Sequence, residues 1–174
     1  MKRGNRIVLV SHCLLNVNAR VGGIAAYHGV HPVIAELVGR GYGIVQLVCP
    51  EVEAEGCGRP PQGREHYETE PFRQRCTATA STTAALVDEY ARVGTRTVLF
   101  VGVEGSPTCG VTITNVAEGA PAGTTRRVAG SGVLAEALRT ALASRAIGFV
   151  GIDSHEPDLG VARVLRALDE QADA

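Results

Sequence analysis

The sequence is poor in several residue types, and each shortage excludes a class of protein. Its 174 residues include no tryptophan, a single methionine and only 4% aromatic residues. Lys2 is the only lysine among the 17 basic residues. A phosphate-binding Walker loop, a Schiff-base lysine and a pyridoxal enzyme all need a lysine at the site, so this shortage argues against all three.

The sequence also lacks an excess of either charge and any long apolar run. The 17 basic and 18 acidic residues leave a formal net charge of −1, which provides no broad basic face for nucleic acid and no polybasic membrane patch. The apolar run at residues 7–10 is too short for a secretory core or a membrane span. We therefore expect a cytoplasmic protein with no nucleic-acid or membrane partner.

What the sequence does contain is enough apolar residues for a core. Hydrophobic residues make up 45% and charged residues 20%, and the length fits one domain over residues 1–174. Strands are predicted at residues 6–11, 44–48, 97–103 and 147–152, helices at 33–40, 82–93, 131–145 and 157–169, and a long loop at 57–72. This alternation predicts an α/β fold, a single Rossmann-like domain with a mostly parallel central sheet flanked by helices. Such a domain could also form a homodimer.

Five cysteines are an odd number, which does not suit a complete disulfide framework. Cys13, Cys49 and Cys109 each follow a predicted strand, and the carboxyl ends of parallel strands share one edge of a sheet. Three thiolates at that edge could bind an iron–sulfur cluster, Cu(I) or zinc. Free cysteine is also a common small core residue. A core role explains one cysteine after a strand easily, but it explains three cysteines at equivalent strand ends poorly. Cys57 and Cys76, in the loop and before the next helix, are expected to be bystanders.

Three motifs contain these cysteines, and together they resemble a known family. Residues 12–16 (HCLLN), 49–51 (CPE) and 106–110 (SPTCG) are similar to the motifs of the 2-thiouracil desulfurase family, and residues 130–134 (GSGVL) to a later helix start. The closer likeness is to a related desulfidase branch. The resemblance implies a 4Fe-4S cluster bound by Cys13, Cys49 and Cys109, and removal of sulfur from a small thiolated (thiocarbonyl) compound.

The resemblance also implies two catalytic residues. Glu51, two residues after Cys49, matches an acid/base, and Ser106, three residues before Cys109, matches a serine that orients substrate or water. Water is a weak nucleophile and needs a base nearby. Without the resemblance, Glu51 would be interpreted as a surface acid and Ser106 as a turn residue before a proline.

Other segments depart from the family pattern and concern the substrate more than the cluster. Residues 16–20 lack a further cysteine and an Arg-Tyr-Asp stretch, residues 53–58 replace a Gly-Gly-Leu segment, and residues 77–83 lack an Asp-Val-Thr run. The identity of the thiolated substrate therefore stays open. His12 could contact the pocket or pack within its loop.

Two other function classes remain as alternatives. Gly130, Gly132 and Ala135, with Asp153 further on, resemble a dinucleotide fingerprint. The segment before them, residues 124–129, has only Val128 as a β-branched apolar residue, which is a poor strand for such a fingerprint. A non-catalytic redox or metal sensor is the other alternative, whereas a zinc knuckle needs closely spaced cysteine pairs that are not found here.

Overall fold

The computed structural model describes residues 4–24, 26–120 and 124–172. Within these ranges the strands are β1 (Arg6–Val10), β2 (Gly43–Gln46), β3 (Arg96–Val103), β4 (Ile113–Val116), β5 (Arg126–Ala129) and β6 (Gly148–Ile152). The helices are α1 (His12–Leu15), α2 (Val33–Gly39), α3 (Pro50–Glu55), α4 (Arg64–Tyr67), α5 (Glu70–Arg92), α6 (Val133–Ala141) and α7 (Pro157–Ala172), and a 3-10 turn covers Val17–Ala19.

The central sheet has four strands in the order β2-β1-β3-β6, and every neighbouring pair is parallel. In the middle of the sheet, Leu9 of β1 lies between Val45 of β2 and Phe100 of β3. Helices cover the sheet, so the predicted α/β class and parallel sheet are confirmed. All four strands therefore end at the same edge.

Apolar strands buried on both faces explain why this sheet is parallel and covered. In β1 and β3 every residue after the first is buried. Successive side chains of a strand point to opposite faces, and Leu9 and Phe100 accordingly pack with residues of α5 and α6. Val8 and Val101 point to the other face, where they pack with α2 and α7.

Helix α5 is much longer than predicted. The sequence predicts a helix over residues 82–93, whereas α5 covers Glu70–Arg92, 23 residues. The buried face of the helix extends back through Phe72 and Cys76, and Pro71 stands in the first turn, where no N–H is needed for helical hydrogen bonds. The predicted loop at 57–72 is therefore wrong in its second half, which contains α4 and the start of α5, and Cys76 lies within α5.

A small antiparallel hairpin, β4 with β5, was not predicted. Both strands are four residues long and β5 is mostly exposed, so neither has the apolar pattern on which the prediction of strands depends. The Gly130–Gly132 segment follows β5 and so lacks the preceding strand of a parallel sheet that a dinucleotide fingerprint requires. None of the helices in the described ranges has the length and hydropathy needed to cross a membrane.

Candidate active site

A cavity of about 190 Å³ opens at the carboxyl edge of the central sheet. Strand β2 lies next to β1 on one side, and β3, which follows β2 in sequence, lies next to β1 on the other side. Ligands of open parallel sheets bind where connections diverge in this way. The cavity lining includes residues that follow each of the four strands: Ser11, Cys13, Cys49, Cys109 and Ser154.

The structure brings Cys13, Cys49 and Cys109 together in this cavity. Burial raises the pKa of each thiol to about 12. The thiols also affect one another: Cys49 raises the pKa of Cys13 further, Cys109 that of Cys49, and Cys13 that of Cys109. We call these three residues the cysteine floor. At neutral pH its thiols hold their protons, which a metal must displace to bind.

Each cysteine of the floor is held by a short local structure. Cys13 lies in the single turn of α1, directly after β1. Cys49 is the N-terminal flanking residue of α3, with Pro50 in the first turn. Cys109 lies in the turn after β3, where its backbone N–H donates to Ser106 Oγ at 2.9 Å. The floor is thus made by the segments that close three neighbouring strands.

Glu51, predicted as the acid/base, lies beside the floor and is only 7% exposed. Arg59 Nε donates to its Oε2 at 2.8 Å, and Thr108 Oγ1 donates to its Oε1 at 2.5 Å. Arg59 is itself buried and also donates to the backbone carbonyls of Gly56 and Ala19. A buried carboxylate needs such partners. Glu51 is therefore fixed in orientation, unlike an acid on an exposed loop.

Ser106, the second predicted catalytic residue, is connected to Glu51 through Thr108. Ser106 Oγ accepts the backbone N–H groups of Thr108 and Cys109, at 3.2 and 2.9 Å. It also lies 3.2 Å from Thr108 Oγ1. Because Thr108 directs its single hydroxyl proton to Glu51, the Ser106 hydroxyl donates to Thr108. The result is a directed chain of hydrogen bonds from Ser106 through Thr108 to Glu51.

Among the three residues joined by these hydrogen bonds, Thr108 is the one that the sequence analysis did not identify. It is fully buried, and its Oγ1 also lies 3.6 Å from the sulfur of Cys109. Its position between Ser106 and Cys109 in the SPTCG motif was the available signal. A threonine there is easily interpreted as a turn residue, because the residue with which it pairs is 57 positions away.

Glu104 fixes the turn that carries Cys109. It is 6% exposed, and its carboxylate accepts the backbone N–H groups of Val111, Thr112 and Ile113 at 2.9 to 3.2 Å, together with the Thr112 hydroxyl at 2.7 Å. Val111 and Thr112 lie outside any helix or strand and Ile113 is the first residue of β4, so Glu104 provides these backbone N–H groups with an acceptor. Sequence reasoning assigned Glu104 no role.

Two buried hydrogen-bond donors lie near the floor. Ser11 Oγ and Arg20 Nη1 are inaccessible to solvent and make no hydrogen bond of normal geometry with any residue that the structure describes. Arg20 opposes the effect of burial on the pKa of Cys13, and Ser11 opposes it on that of Cys109. Both therefore lie close to sulfur and favour negative charge there.

The hairpin formed by β4 and β5 contributes two residues to the lining of the cavity. Asn115 pairs with Arg127 across the two strands, so their side chains lie on one face of the hairpin, and both line the cavity. We call these two residues the hairpin wall. Arg127 Nη1 donates to Asp153 Oδ2 at 2.5 Å. Asn115 Oδ1 is buried and accepts no hydrogen bond from the residues that the structure describes.

The other candidate residues lie in different places. His12 lines the cavity, whereas Cys57 and Cys76 do not. Cys57 is exposed, and Cys76 is buried in the core. In the part of the chain that the structure describes, no three His, Cys, Asp or Glu side chains are placed to bind a single metal ion.

Comparisons with known proteins find a family, a relative and a solved structure that resemble this chain. Residues 6–122 match the family described as putative 2-thiouracil desulfurase. An uncharacterized protein of Methanocaldococcus jannaschii is 34% identical over 110 residues, which is 63% of this chain and 70% of that protein. The structure resembles that of the 4Fe-4S-dependent thiouracil desulfidase TudS, with a TM-score of 0.53 and 23% identity, over 92% of this chain and 99% of the other. At that identity the likeness to TudS shows a shared fold.

Proposed function

Because the chain belongs to the putative 2-thiouracil desulfurase family, we propose that it removes sulfur from a small thiocarbonyl compound with a 4Fe-4S cluster bound by Cys13, Cys49 and Cys109. The observation that carries this proposal is a buried chain of hydrogen bonds from Ser106 through Thr108 to the carboxylate of Glu51. It lies beside the three thiols in the same cavity. The fold shared with TudS, a 4Fe-4S-dependent enzyme, supports the choice of cofactor.

The residues around the floor fit such a cluster. Three cysteines are soft sulfur donors of the type that binds iron–sulfur clusters. Ser11 Oγ and Arg20 Nη1 make no hydrogen bond of normal geometry with the described residues, and the sulfurs of an anionic cluster would accept hydrogen bonds from both. The described residues contain no site for a single ion, but in a cluster each thiolate binds a different iron. The ligands of a cluster therefore lie farther apart than those of one ion.

With three protein ligands, the bound cluster would supply an iron with an open position that acts as a Lewis acid toward the thiocarbonyl sulfur. The overall reaction replaces a C=S bond by a C=O bond: the thiocarbonyl compound and water give the carbonyl compound and hydrogen sulfide. No atom changes oxidation state, so no electron donor or acceptor is needed. What the reaction needs from the protein is proton transfer.

Glu51 is placed to perform that transfer. Arg59 holds Oε2 and Thr108 holds Oε1, so the carboxylate keeps one orientation toward the cavity. There it accepts a proton from the attacking water and returns it to the departing sulfur. Ser106 Oγ is held by two backbone N–H groups and its one hydroxyl proton points to Thr108, so Ser106 orients water or substrate when that proton turns from Thr108 toward the cavity. A sensor that only bound a cluster would have no use for this chain of polar groups.

The test is to purify the protein without oxygen and to measure iron, acid-labile sulfide and sulfide release. We expect about four irons and four sulfides per chain, and conversion of 2-thiouracil or a related thiocarbonyl compound to its oxygen analogue. Cys109→Ala protein is the matched control. Negligible iron after reconstitution would overturn the cluster assignment. Full iron loading with no sulfide release from thiolated pyrimidines, purines and thioamides would favour the sensor.

A further inference from the structure

The lining of the cavity contains a polar group that the proposed reaction does not use. Asn115 lies on the hairpin wall, and its Oδ1 is buried without a hydrogen-bond partner. Native proteins leave few buried polar atoms unpaired, and those exceptions call for an explanation. The carboxamide of Asn115 is therefore a candidate for contact with a ligand.

Asn115 lies beside Gly105 and Arg127. The neighbouring Gly105 has no side chain, and a Cβ at that position would lie 3.5 Å from Asn115 Oδ1 and 3.6 Å from Arg127 Nε. Gly105 has a φ of 80°, a conformation that favours glycine. Arg127 is already paired with Asp153. The unpaired group on the hairpin wall is thus a neutral amide, which favours a neutral partner over an anion.

A carboxamide presents an acceptor and a donor side by side. Its complement is an N–H next to a C=O in a cis arrangement, as in the rings of lactams, imides and cyclic ureides. We propose that Asn115 determines specificity by binding this edge of a cyclic substrate while the thiocarbonyl points to the cysteine floor. The inference rests on the proposed function, because that function places the sulfur of the substrate at the floor.

The experiment measures binding of sulfur-free rings, which cannot react, to the anaerobically prepared protein. Calorimetry compares uracil with 3-methyluracil, which lacks the N–H of this edge. We expect the wild type to prefer uracil by about tenfold, the scale of one hydrogen bond to a polar group that is otherwise left unpaired. In Asn115→Leu and Asn115→Ala proteins this preference should disappear. Arg126→Ala, a change at an exposed hairpin residue outside the cavity lining, should keep it.

Thermal unfolding separates recognition from a structural role. Asn115→Leu removes a buried oxygen that has no partner, so its unfolding temperature should be unchanged or higher. A marked decrease would mean that Asn115 supports the hairpin itself and would overturn the inference. It would also be overturned if the Asn115 variants kept the preference, or if the wild type bound both rings equally or neither. Sulfide release from 2-thiouracil by the wild type, measured in parallel, shows whether the proposed function survives such a result.

Discussion

The cysteine floor and the hairpin wall line the same cavity, but they are built differently. The floor is made by the segments that follow β1, β2 and β3, and beside it Glu51 is held by hydrogen bonds from the buried side chains of Arg59 and Thr108. The hairpin wall belongs to a separate two-stranded sheet and carries an unpaired amide. From this difference we infer two separate roles: the floor takes part in the removal of sulfur, and the hairpin wall determines which substrate binds.

The largest expected effect tests the floor. Replacing Cys13, Cys49 or Cys109 by Ser should each abolish stable loading of iron, because a cluster held by two thiolates is poorly anchored. Cys57→Ser and Cys76→Ala should load normally, since neither residue lines the cavity. Iron and acid-labile sulfide per chain provide the measurement. If Cys57→Ser protein failed to load, the assignment of ligands would be wrong.

The next effect separates chemistry from cluster binding within the same region. Glu51→Gln keeps the shape of the side chain but cannot exchange a proton at neutral pH. Sulfide release should fall by about a hundredfold or more, the usual scale for loss of a positioned proton-transfer group, with iron content and absorption spectrum unchanged. Unchanged turnover would remove Glu51 from the mechanism. Loss of iron would make it a support of the cluster instead.

A smaller effect is expected at Thr108, which connects Ser106 with Glu51. Thr108→Val removes the hydroxyl while keeping the volume, and we expect turnover to fall by about tenfold or more because Glu51 loses the donor that orients it. Thr108→Ser restores a hydroxyl and should recover most of the rate. Equal activity of the two variants would contradict a role for the hydroxyl. Iron content, measured for both, controls for damage to Cys109.

The comparison between floor and wall also shows what a sequence can predict here. The three strand ends could be predicted because β1 and β3 are continuous apolar runs, and their ends must meet at one edge. Asn115 could not be identified, because its strand is short and has no apolar alternation. Arg59 and Thr108 were missed for another reason. Their roles depend on Glu51, which is 8 and 57 residues away in sequence, and such pairings appear only once the chain is folded.

The smallest effect lies outside both regions, at His31. This side chain is fully buried and its Nδ1 accepts the backbone N–H of Val33 at the start of α2. Burial, with a smaller contribution from Arg20, lowers its pKa from 6.5 to about 4, and Tyr27 packs edge-on against the ring. As the pH falls, His31 therefore binds a proton near pH 6.5 in the unfolded chain but only near pH 4 in the folded protein.

The stability contributed by neutral His31 is complete above pH 6.5 and is lost as the pH falls toward 4. The slope should reach at most about 1.4 kcal/mol per pH unit. Denaturant unfolding of the wild type and of His31→Asn between pH 4 and 7.5 measures it, since Asn keeps an acceptor for Val33 but does not titrate. Parallel curves for the two proteins would show that His31 does not contribute.

The buried carboxylate of Glu104 has a consequence for how the site could be filled and emptied. It gathers three consecutive backbone N–H groups and a hydroxyl beneath the turn that carries Cys109. The turn thus obtains its shape from within the protein, whatever the cavity contains. Little conformational entropy remains to be lost when a ligand arrives. A cluster could therefore be inserted, lost to oxygen and rebuilt while this turn stays folded, so inactivation in air should be reversible by reconstitution without prior refolding.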